Sequence, residues 1–134
     1  MTGREDIFFG AEFDASAGTN KLPAETVRYY IDTLKDPDHL RGSFEFYRAI
    51  PATIAQNQKR KERRLTLPVL AIGGSESSGE GVGNTMKLAA GNVQTLVIPG
   101  CGHWVAEQAP QDLLAALTAF LVPYRDRAAA APRP

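Results

Sequence analysis

The first half of the chain repeats apolar residues at the spacing of helices. One group lies at positions i, i+3, i+4 and i+7, and Pro23 before it suits the first turn of a helix. A second group keeps helical spacing up to Pro51, which ends or kinks that helix, and a third helix is predicted over about 52–63. Asp38 is the predicted cap of the second helix, and residues 1–19 are predicted to be irregular. The two groups are Val27, Tyr30, Ile31 and Leu34, then Leu40, Phe44, Tyr47 and Ile50.

The period changes after residue 64. Residues 67–72 and 93–98 are short apolar runs of the kind that form buried parallel strands. A glycine-rich loop over 75–83 and a helix over 84–90 separate them, and a last helix opens at Pro110. The order strand, helix, strand, helix predicts a parallel β/α layer. The apolar stripe predicted to be buried in the last helix consists of Leu113, Leu114, Leu117, Phe120 and Leu121.

These patterns predict an α/β chain with a helical portion over 1–64, a β/α portion over 65–124 and a disordered tail over 125–134. Hydrophobic residues make up 43% and charged residues 22%, as in an ordinary globular domain. The formal net charge is zero, so we expect neither nucleic acid nor a membrane as partner. No apolar run approaches the roughly 18 residues of a membrane span, and no signal peptide is recognised. The expected location is therefore the cytoplasm.

A histidine-bearing loop follows the second predicted strand. His103 ends the run Pro99-Gly100-Cys101-Gly102-His103, and open α/β sheets build their sites at the carboxyl ends of parallel strands. The glycines allow the loop to approach a neighbouring group closely. The alternative is an ordinary surface histidine in a turn. Cys101 is a weaker candidate nucleophile, because side chains adjacent in sequence rarely point at each other.

An acidic residue follows the first predicted strand. Glu76 comes directly after Gly73-Gly74-Ser75, and an acid after one strand with a histidine after the next is the order of an α/β-hydrolase triad. Such a carboxylate would hold the histidine tautomer and stabilise the imidazolium. Glu80, further into the same loop, is the competing acid. The alternative for both is a solvated glutamate without a catalytic role.

Several segments together resemble the end of an α/β-hydrolase. They are the strand run 67–74, the loop Gly102-His103-Trp104 and the closing helix over 109–121. Within that superfamily the chain is most similar to the epoxide hydrolase and haloalkane or haloacid dehalogenase branch, because residues 3–9 and 44–49 resemble the helical cap of those enzymes. The resemblance covers about residues 3–122. It implies the C-terminal part of an α/β-hydrolase fold, preceded by a cap segment.

The resemblance implies roles for five residues. In that branch an aspartate forms an alkyl-enzyme ester, and a histidine activates the water that hydrolyses the ester; His103 matches this base. Glu76 matches the orienting acid, and Tyr47 matches a cap tyrosine that polarises the leaving oxygen or halogen, with a core aromatic as its alternative. Trp104 and Phe44 are the expected substrate-binding residues. The implied substrate is an apolar epoxide, halide or ester, and neither a metal nor an organic cofactor is implied.

The chain departs from that family in one large respect. No Gly-x-Ser-x-Gly or Gly-x-Asp-x-Gly nucleophile elbow occurs, and no oxyanion-hole loop is recognised. Two strands do not make a stable sheet alone, so we expect pairing with a second copy or with a complementary N-terminal half. The leading hypothesis is therefore an incomplete hydrolase that depends on a partner half. The alternative is a non-catalytic remnant that acts as a dimerising or binding module.

Other sequence features carry less chemistry. The basic run 59–64 is interpreted as a solvated helix end rather than a nucleic-acid patch, because the net charge is zero and no aromatic residues are interleaved. The glycine-rich run 73–83 fits neither a dinucleotide nor a phosphate-loop pattern. No Cys/His cluster has zinc spacing.

Overall fold

The computed structural model describes residues 2–130, with side chains described over 2–125. Within that range the chain begins with helices and continues with alternating strands and helices, as the hydrophobic pattern predicts. The elements in chain order are α1 (Glu5–Ser16), α2 (Ala24–Leu34), α3 (Pro37–Arg48), α4 (Ile50–Arg60), β1 (Val69–Gly74), α5 (Glu80–Met86), β2 (Val93–Ile98), α6 (Val105–Gln108) and α7 (Pro110–Ala130).

The two strands form a parallel pair. Val69 lies opposite Val93 and Gly74 lies opposite Ile98, so both strands end at the same edge. Helix α5 covers one face, and it approaches so closely at Gly83 that a Cβ there would lie 2.6 Å from the Thr95 Cγ2 atom. Over residues 2–130, β2 is the only strand paired with β1, which leaves the other edge of β1 open.

The prediction that residues 1–19 are irregular is wrong, because they contain α1. Glu5 and Asp6 lie in its first turn, where negative charge is favourable at a helix N-terminus. Phe9 and Phe13 are four residues apart and share the face that packs on the core, and Phe13 is buried.

The predicted cap of the helix that follows α2 is displaced by two residues. Asp36 caps α3, with its carboxylate accepting the backbone N–H groups of His39 at 3.2 Å and Asp38 at 2.8 Å. These two hydrogen bonds lower the pKa of Asp36 below its ordinary value. Pro37 occupies the first turn, where its missing N–H costs nothing.

The helix between the strands begins earlier than predicted. The sequence predicted helix over 84–90, whereas α5 covers Glu80–Met86. Gly79, with a φ of 47°, provides the sharp entry into α5. The prediction failed because the glycines at 81 and 83, which disfavour a helix by propensity, are tolerated here by packing against the strands.

The prediction of a buried apolar stripe in α7 is only partly right. Leu113 and Phe120 are partly buried, but Leu114 is 60% exposed and Leu121 is 49% exposed. A two-stranded sheet is too narrow to cover a helix of 21 residues. The helix also continues to Ala130 through an alanine-rich stretch, so the tail predicted to be disordered is helical over 125–130. Its remainder, 131–134, lies outside the described residues.

Two small cores hold the structure together. One consists of Phe13, Leu22 and Ile31, and Trp104 from the second half of the chain packs against it. The other consists of Ile98, Cys101 and Ala109. The histidine-bearing loop therefore lies between the two cores. Over the described residues, no helix combines the length and apolar character that crossing a membrane requires.

Candidate active site

The loops after β1 and β2 meet at the shared edge of the strand pair. The Ser75 amide nitrogen lies 3.0 Å from the carbonyl oxygen of Ile98, and the Glu76 amide nitrogen lies 2.9 Å from that of Cys101. A Cβ on Gly74 would lie 2.7 Å from the Cys101 carbonyl carbon, so only glycine permits this approach. The loops that carry Glu76 and His103 therefore lie side by side, as the order of these residues in the sequence predicts.

A third segment, which we call the 16–20 loop, crosses between these two loops. It directly follows α1 and belongs to the helical half of the chain. The His103 amide donates to the carbonyl oxygen of Ser16 at 2.9 Å. On the other side, the Thr19 amide donates to the carboxylate of Glu76. The 16–20 loop was not predicted as part of the site, because polar bonds between distant segments leave no periodic signal in the sequence.

The imidazole of His103 is exposed and lies edge-on to the indole of Trp104. Their ring centres are 5.2 Å apart and the ring planes are inclined by 87°. Trp104 is fixed in turn by Phe13, at 4.7 Å between ring centres, and by an indole N–H that donates to the Ser16 hydroxyl at 3.3 Å. Among the described residues, no group forms a hydrogen bond with the His103 ring.

The carboxylate of Glu76 is bound to the 16–20 loop rather than to His103. Its Oε2 atom accepts the Thr19 N–H, which is the largest cause of a pKa below the ordinary glutamate value, and the positive charge of Lys21 adds to that lowering. Glu76 is therefore ionised at neutral pH. Glu80, the competing acid, is exposed in the first turn of α5, and its side chain makes no hydrogen bond with another described residue.

A groove of about 580 Å³ runs between α1, α3 and the histidine-bearing loop. It brings together four of the five residues singled out in the sequence: His103, Trp104, Phe44 and Tyr47. Tyr47 is 66% exposed, so the alternative reading of it as a core aromatic is wrong. The remaining lining residues are Phe8, Phe9, Glu12, Phe13, Ser16, Leu34 and Ser43.

The aromatic residues of α1 form one wall of this groove. Phe9 and Phe44 stack with ring centres 6.4 Å apart, and Phe8 lies at the same distance from Phe44. Because residues 1–19 were predicted to be irregular, Phe8, Phe9 and Phe13 were not assigned to the site. The signal that was present is the four-residue spacing of Phe9 and Phe13.

Other candidates from the sequence lie outside this arrangement. Cys101 is buried, and burial raises the pKa of its thiol, so the weaker prediction of a nucleophile gains no support. In the basic run 59–64, Arg64 donates to the carbonyl oxygen of Lys87 at 2.7 Å and thereby anchors the segment before β1. Over the described residues, no three His, Cys, Asp or Glu side chains gather in a way that suits a metal ion.

Comparisons with known proteins point to one family. The chain is 26% identical over 117 residues to a soluble epoxide hydrolase from Corynebacterium sp. strain C12, across 87% of this chain and 41% of the relative. Its structure resembles those of wild-type Cfl2 from Burkholderia cenocepacia and of the epoxide hydrolase CorEH, with 26% identity in each case. The TM-scores are 0.79 over 88% of this chain and 0.69 over 76% of it. No protein-family model matches the chain.

The chain is similar in sequence to part of a soluble epoxide hydrolase, and it has a partial α/β-hydrolase fold. The predicted fold class, a short parallel β/α portion preceded by a helical cap, is thus confirmed. This chain spans 41% of the length of its Corynebacterium relative, and 41% and 36% of the lengths of the two solved chains. The activity of a complete epoxide hydrolase is therefore a matter for proposal.

Gly18 should be the least replaceable residue of the 16–20 loop. Its φ of 65° is in the left-handed region, and an added Cβ would lie 2.9 Å from the Cβ of Glu76. We expect Gly18→Ala to lower the free energy of unfolding by about 1–2 kcal/mol or more. Gly42→Ala is the matched control, because Gly42 is helical with open space around it, and should raise stability by roughly 0.5–1 kcal/mol. Urea unfolding measures both, and equal effects of the two substitutions would contradict the close packing at Gly18.

Glu76 should make stability depend on pH in the acid range. Its pKa is lower in the folded state than in the unfolded state, so its contribution is complete above the unfolded value and is lost as the pH falls through the folded value. Wild type should be more stable than Glu76→Gln at pH 7, and the difference should shrink below about pH 5. Urea midpoints between pH 7 and pH 3 test this. Glu80→Gln is the control, and a difference for Glu76→Gln that stays constant with pH refutes the prediction.

Proposed function

We propose that this chain supplies the water-activating base and the aromatic substrate wall of an epoxide hydrolase active site. The observation that carries the proposal is the position of His103 in a groove that Tyr47, Phe44 and Trp104 also line. An imidazole in contact with an apolar cavity is suited to take a proton from water close to a bound substrate. The similarity to a soluble epoxide hydrolase supports an epoxide as the substrate class, and the aromatic lining of the groove supports an apolar one.

The proposed reaction has two steps. A carboxylate from outside this chain attacks an epoxide carbon, the C–O bond breaks, and the new alkoxide oxygen receives a proton from the Tyr47 hydroxyl. His103 then removes a proton from water, and the resulting hydroxide attacks the carbonyl carbon of the ester. The bond between the acyl carbon and the substrate oxygen breaks, and the substrate oxygen takes the remaining proton of the attacking hydroxide and leaves as the diol, so that the carboxylate is regenerated. The proton on His103 finally returns to the Tyr47 phenolate, which restores both groups. Since the groove is lined by Phe9, Phe13 and Phe44, it favours substrates with an apolar or aromatic substituent.

Glu76 is the proposed orienting acid for His103. The Thr19 amide donates to its Oε2 atom, and the Thr19 side chain also interacts with the carboxylate. A carboxylate has enough lone pairs to accept from a loop amide and an imidazole N–H together. The lowered pKa keeps Glu76 ionised, which an acid of this type needs. Glu80 remains the alternative.

The proposed activity depends on a complementary half that carries the nucleophile. The open edge of β1 provides unpaired backbone groups for a further strand. Large apolar side chains are also exposed, Leu114 at 60% and Leu88 at 59% among them, and a further layer of structure would cover these. A second copy of the chain is the alternative occupant.

A cytoplasmic location stays a prediction.

A second candidate function is a binding module without catalysis. It is favoured by the bond between Glu76 and Thr19, because this bond directs the carboxylate to the 16–20 loop and leaves the imidazole without an acid partner in the structure. Such a module would bind the same apolar ligands in the same groove. Because both functions include ligand binding, only a measurement of turnover distinguishes the hydrolase from the binding module.

Binding to the groove should change the fluorescence of the single tryptophan. Trp104 lines the groove, so titration of the chain with styrene oxide, an aryl epoxide, should give a saturable change. Phe44→Ala removes a wall and should raise Kd about tenfold. Phe46→Ala is the matched control, since Phe46 is on the same helix but 78% exposed and does not line the groove. A linear response, or equal effects of the two substitutions, argues against the groove as the ligand site.

Turnover should require His103 and the complementary half. The chain alone, and the chain mixed with a polypeptide that carries the rest of an epoxide hydrolase, are assayed for diol formation from styrene oxide. We expect diol only in the mixture, with a loss of at least about a hundredfold in His103→Ala. His39→Ala is the control, because His39 is exposed on α3 and bonded to the Thr33 carbonyl. Activity that survives His103→Ala removes this base from the mechanism, and binding without turnover in the mixture supports the second function.

A further inference from the structure

The side-chain amide of Gln108 makes four hydrogen bonds with backbone groups at the centre of the site, and the Cys101 thiol also donates weakly to its Oε1 atom at 3.7 Å. Its Oε1 atom accepts the backbone N–H groups of Gly102 at 3.0 Å and of Trp104 at 3.1 Å. Its Nε2 atom donates to the carbonyl oxygen of Ala17 at 2.7 Å and to that of Asn20. One side chain therefore joins the histidine-bearing loop to the 16–20 loop.

Only a glutamine can satisfy this set of partners. Two N–H donors face one end of the side chain and two carbonyl acceptors face the other, so the amide fits in a single orientation. A glutamate lacks the donors, and an arginine or lysine lacks the acceptor. The Asn20 side chain adds a fifth link, because its Nδ2 atom donates to the backbone carbonyl of Gln108 at 3.2 Å.

The two amides that Gln108 holds belong to the residues on either side of His103. Gly102 and Trp104 are thus fixed by the same oxygen atom, and the His103 amide itself is held by the Ser16 carbonyl at 2.9 Å. With three consecutive amides bound, the backbone at His103 has little freedom to rotate. The imidazole leaves this backbone in one direction, towards the groove.

We propose that Gln108 is a positioning residue that fixes His103 against the 16–20 loop and so aligns the base with the groove. The role of His103 as a base rests on the proposed function. The positioning of His103 by Gln108 is a property of the chain alone. Gln108 does not line the groove and so acts on bound substrate through His103 and Trp104.

Amide hydrogen exchange of the full chain, followed by NMR, tests the positioning with two substitutions. Gln108→Met keeps the size and removes the four bonds to backbone groups, so the Gly102 and Trp104 amides should exchange about tenfold faster or more. Gln108→Glu keeps an acceptor for these two amides and loses both donors. In that variant Gly102 and Trp104 should stay protected, whereas the amides of His103 and Thr19, which bridge to the 16–20 loop and to Glu76, should exchange faster.

Gln111→Met and Gln111→Glu are the matched controls, because Gln111 is exposed in the first turn of α7. Should Gln108→Met fail to fold, Gln108→Glu decides alone. Exchange at these four amides that matches the Gln111 controls overturns the proposal. So does a uniform acceleration over the whole chain, which would indicate general destabilisation.

The NMR ring signals of the two histidines distinguish positioning of His103 from a purely structural role of Gln108, which would leave these signals unchanged. In Gln108→Met the ring resonances of His103 should change position or broaden at a fixed pH, while those of His39 stay constant. In a mixture that turns over, kcat should fall more than KM rises. If His103→Ala retains activity while the exchange pattern is as expected, the proposed catalytic role of His103 fails and the positioning by Gln108 stands. If the exchange pattern is not as expected while His103→Ala is inactive, the positioning by Gln108 fails and the catalytic role of His103 stands.

Discussion

Parallel pairing of β1 with β2 places the ends of both strands at one edge, and the rest of the site is built on that constraint. Because Gly74 and Ile98 are partners in register, the residues that follow them must emerge side by side. Glycine at 74 then lets the loops close to hydrogen-bonding distance, as the bond from the Glu76 amide to Cys101 shows. Any segment that is to contact both loops has to reach this edge, and the 16–20 loop does so.

The helical half of the chain thus contributes to the site in two physically different ways. Its aromatic side chains form the groove wall, and Phe13 joins Trp104 to the core formed with Leu22 and Ile31. Its 16–20 loop contributes backbone carbonyl and amide groups to the polar network. The Tyr30 hydroxyl adds a third connection by donating to the carboxylate of Glu107 on α6. Apolar packing gives these contacts affinity, and directional hydrogen bonds fix their register.

The sequence was informative where a periodic pattern or a residue with one chemical use was present. Alternation of strand and helix predicted the parallel layer, and the loop after the second strand predicted His103 as the candidate base. Helix α1 was missed because its acidic and glycine residues obscure the four-residue spacing of its aromatic residues. The start of α5 was missed because the cost of Gly81 and Gly83 is offset by tertiary packing on β1 and β2. Gln108 was missed for a different reason: two of its partners, Ala17 and Asn20, are about ninety positions away in sequence, and no local rule detects them.

A neutral amide is the physically appropriate group at this position. His103 is the proposed base and Glu76 the proposed acid, and a fixed charge beside them would interact with their ionised forms. An arginine at 108 would disfavour the imidazolium, and a glutamate would compete with Glu76 for it. The amide of Gln108 instead holds Gly102, Trp104, Ala17 and Asn20 by hydrogen bonds alone. The loop can therefore be rigid without a fixed charge beside the groups whose protonation the chemistry would use.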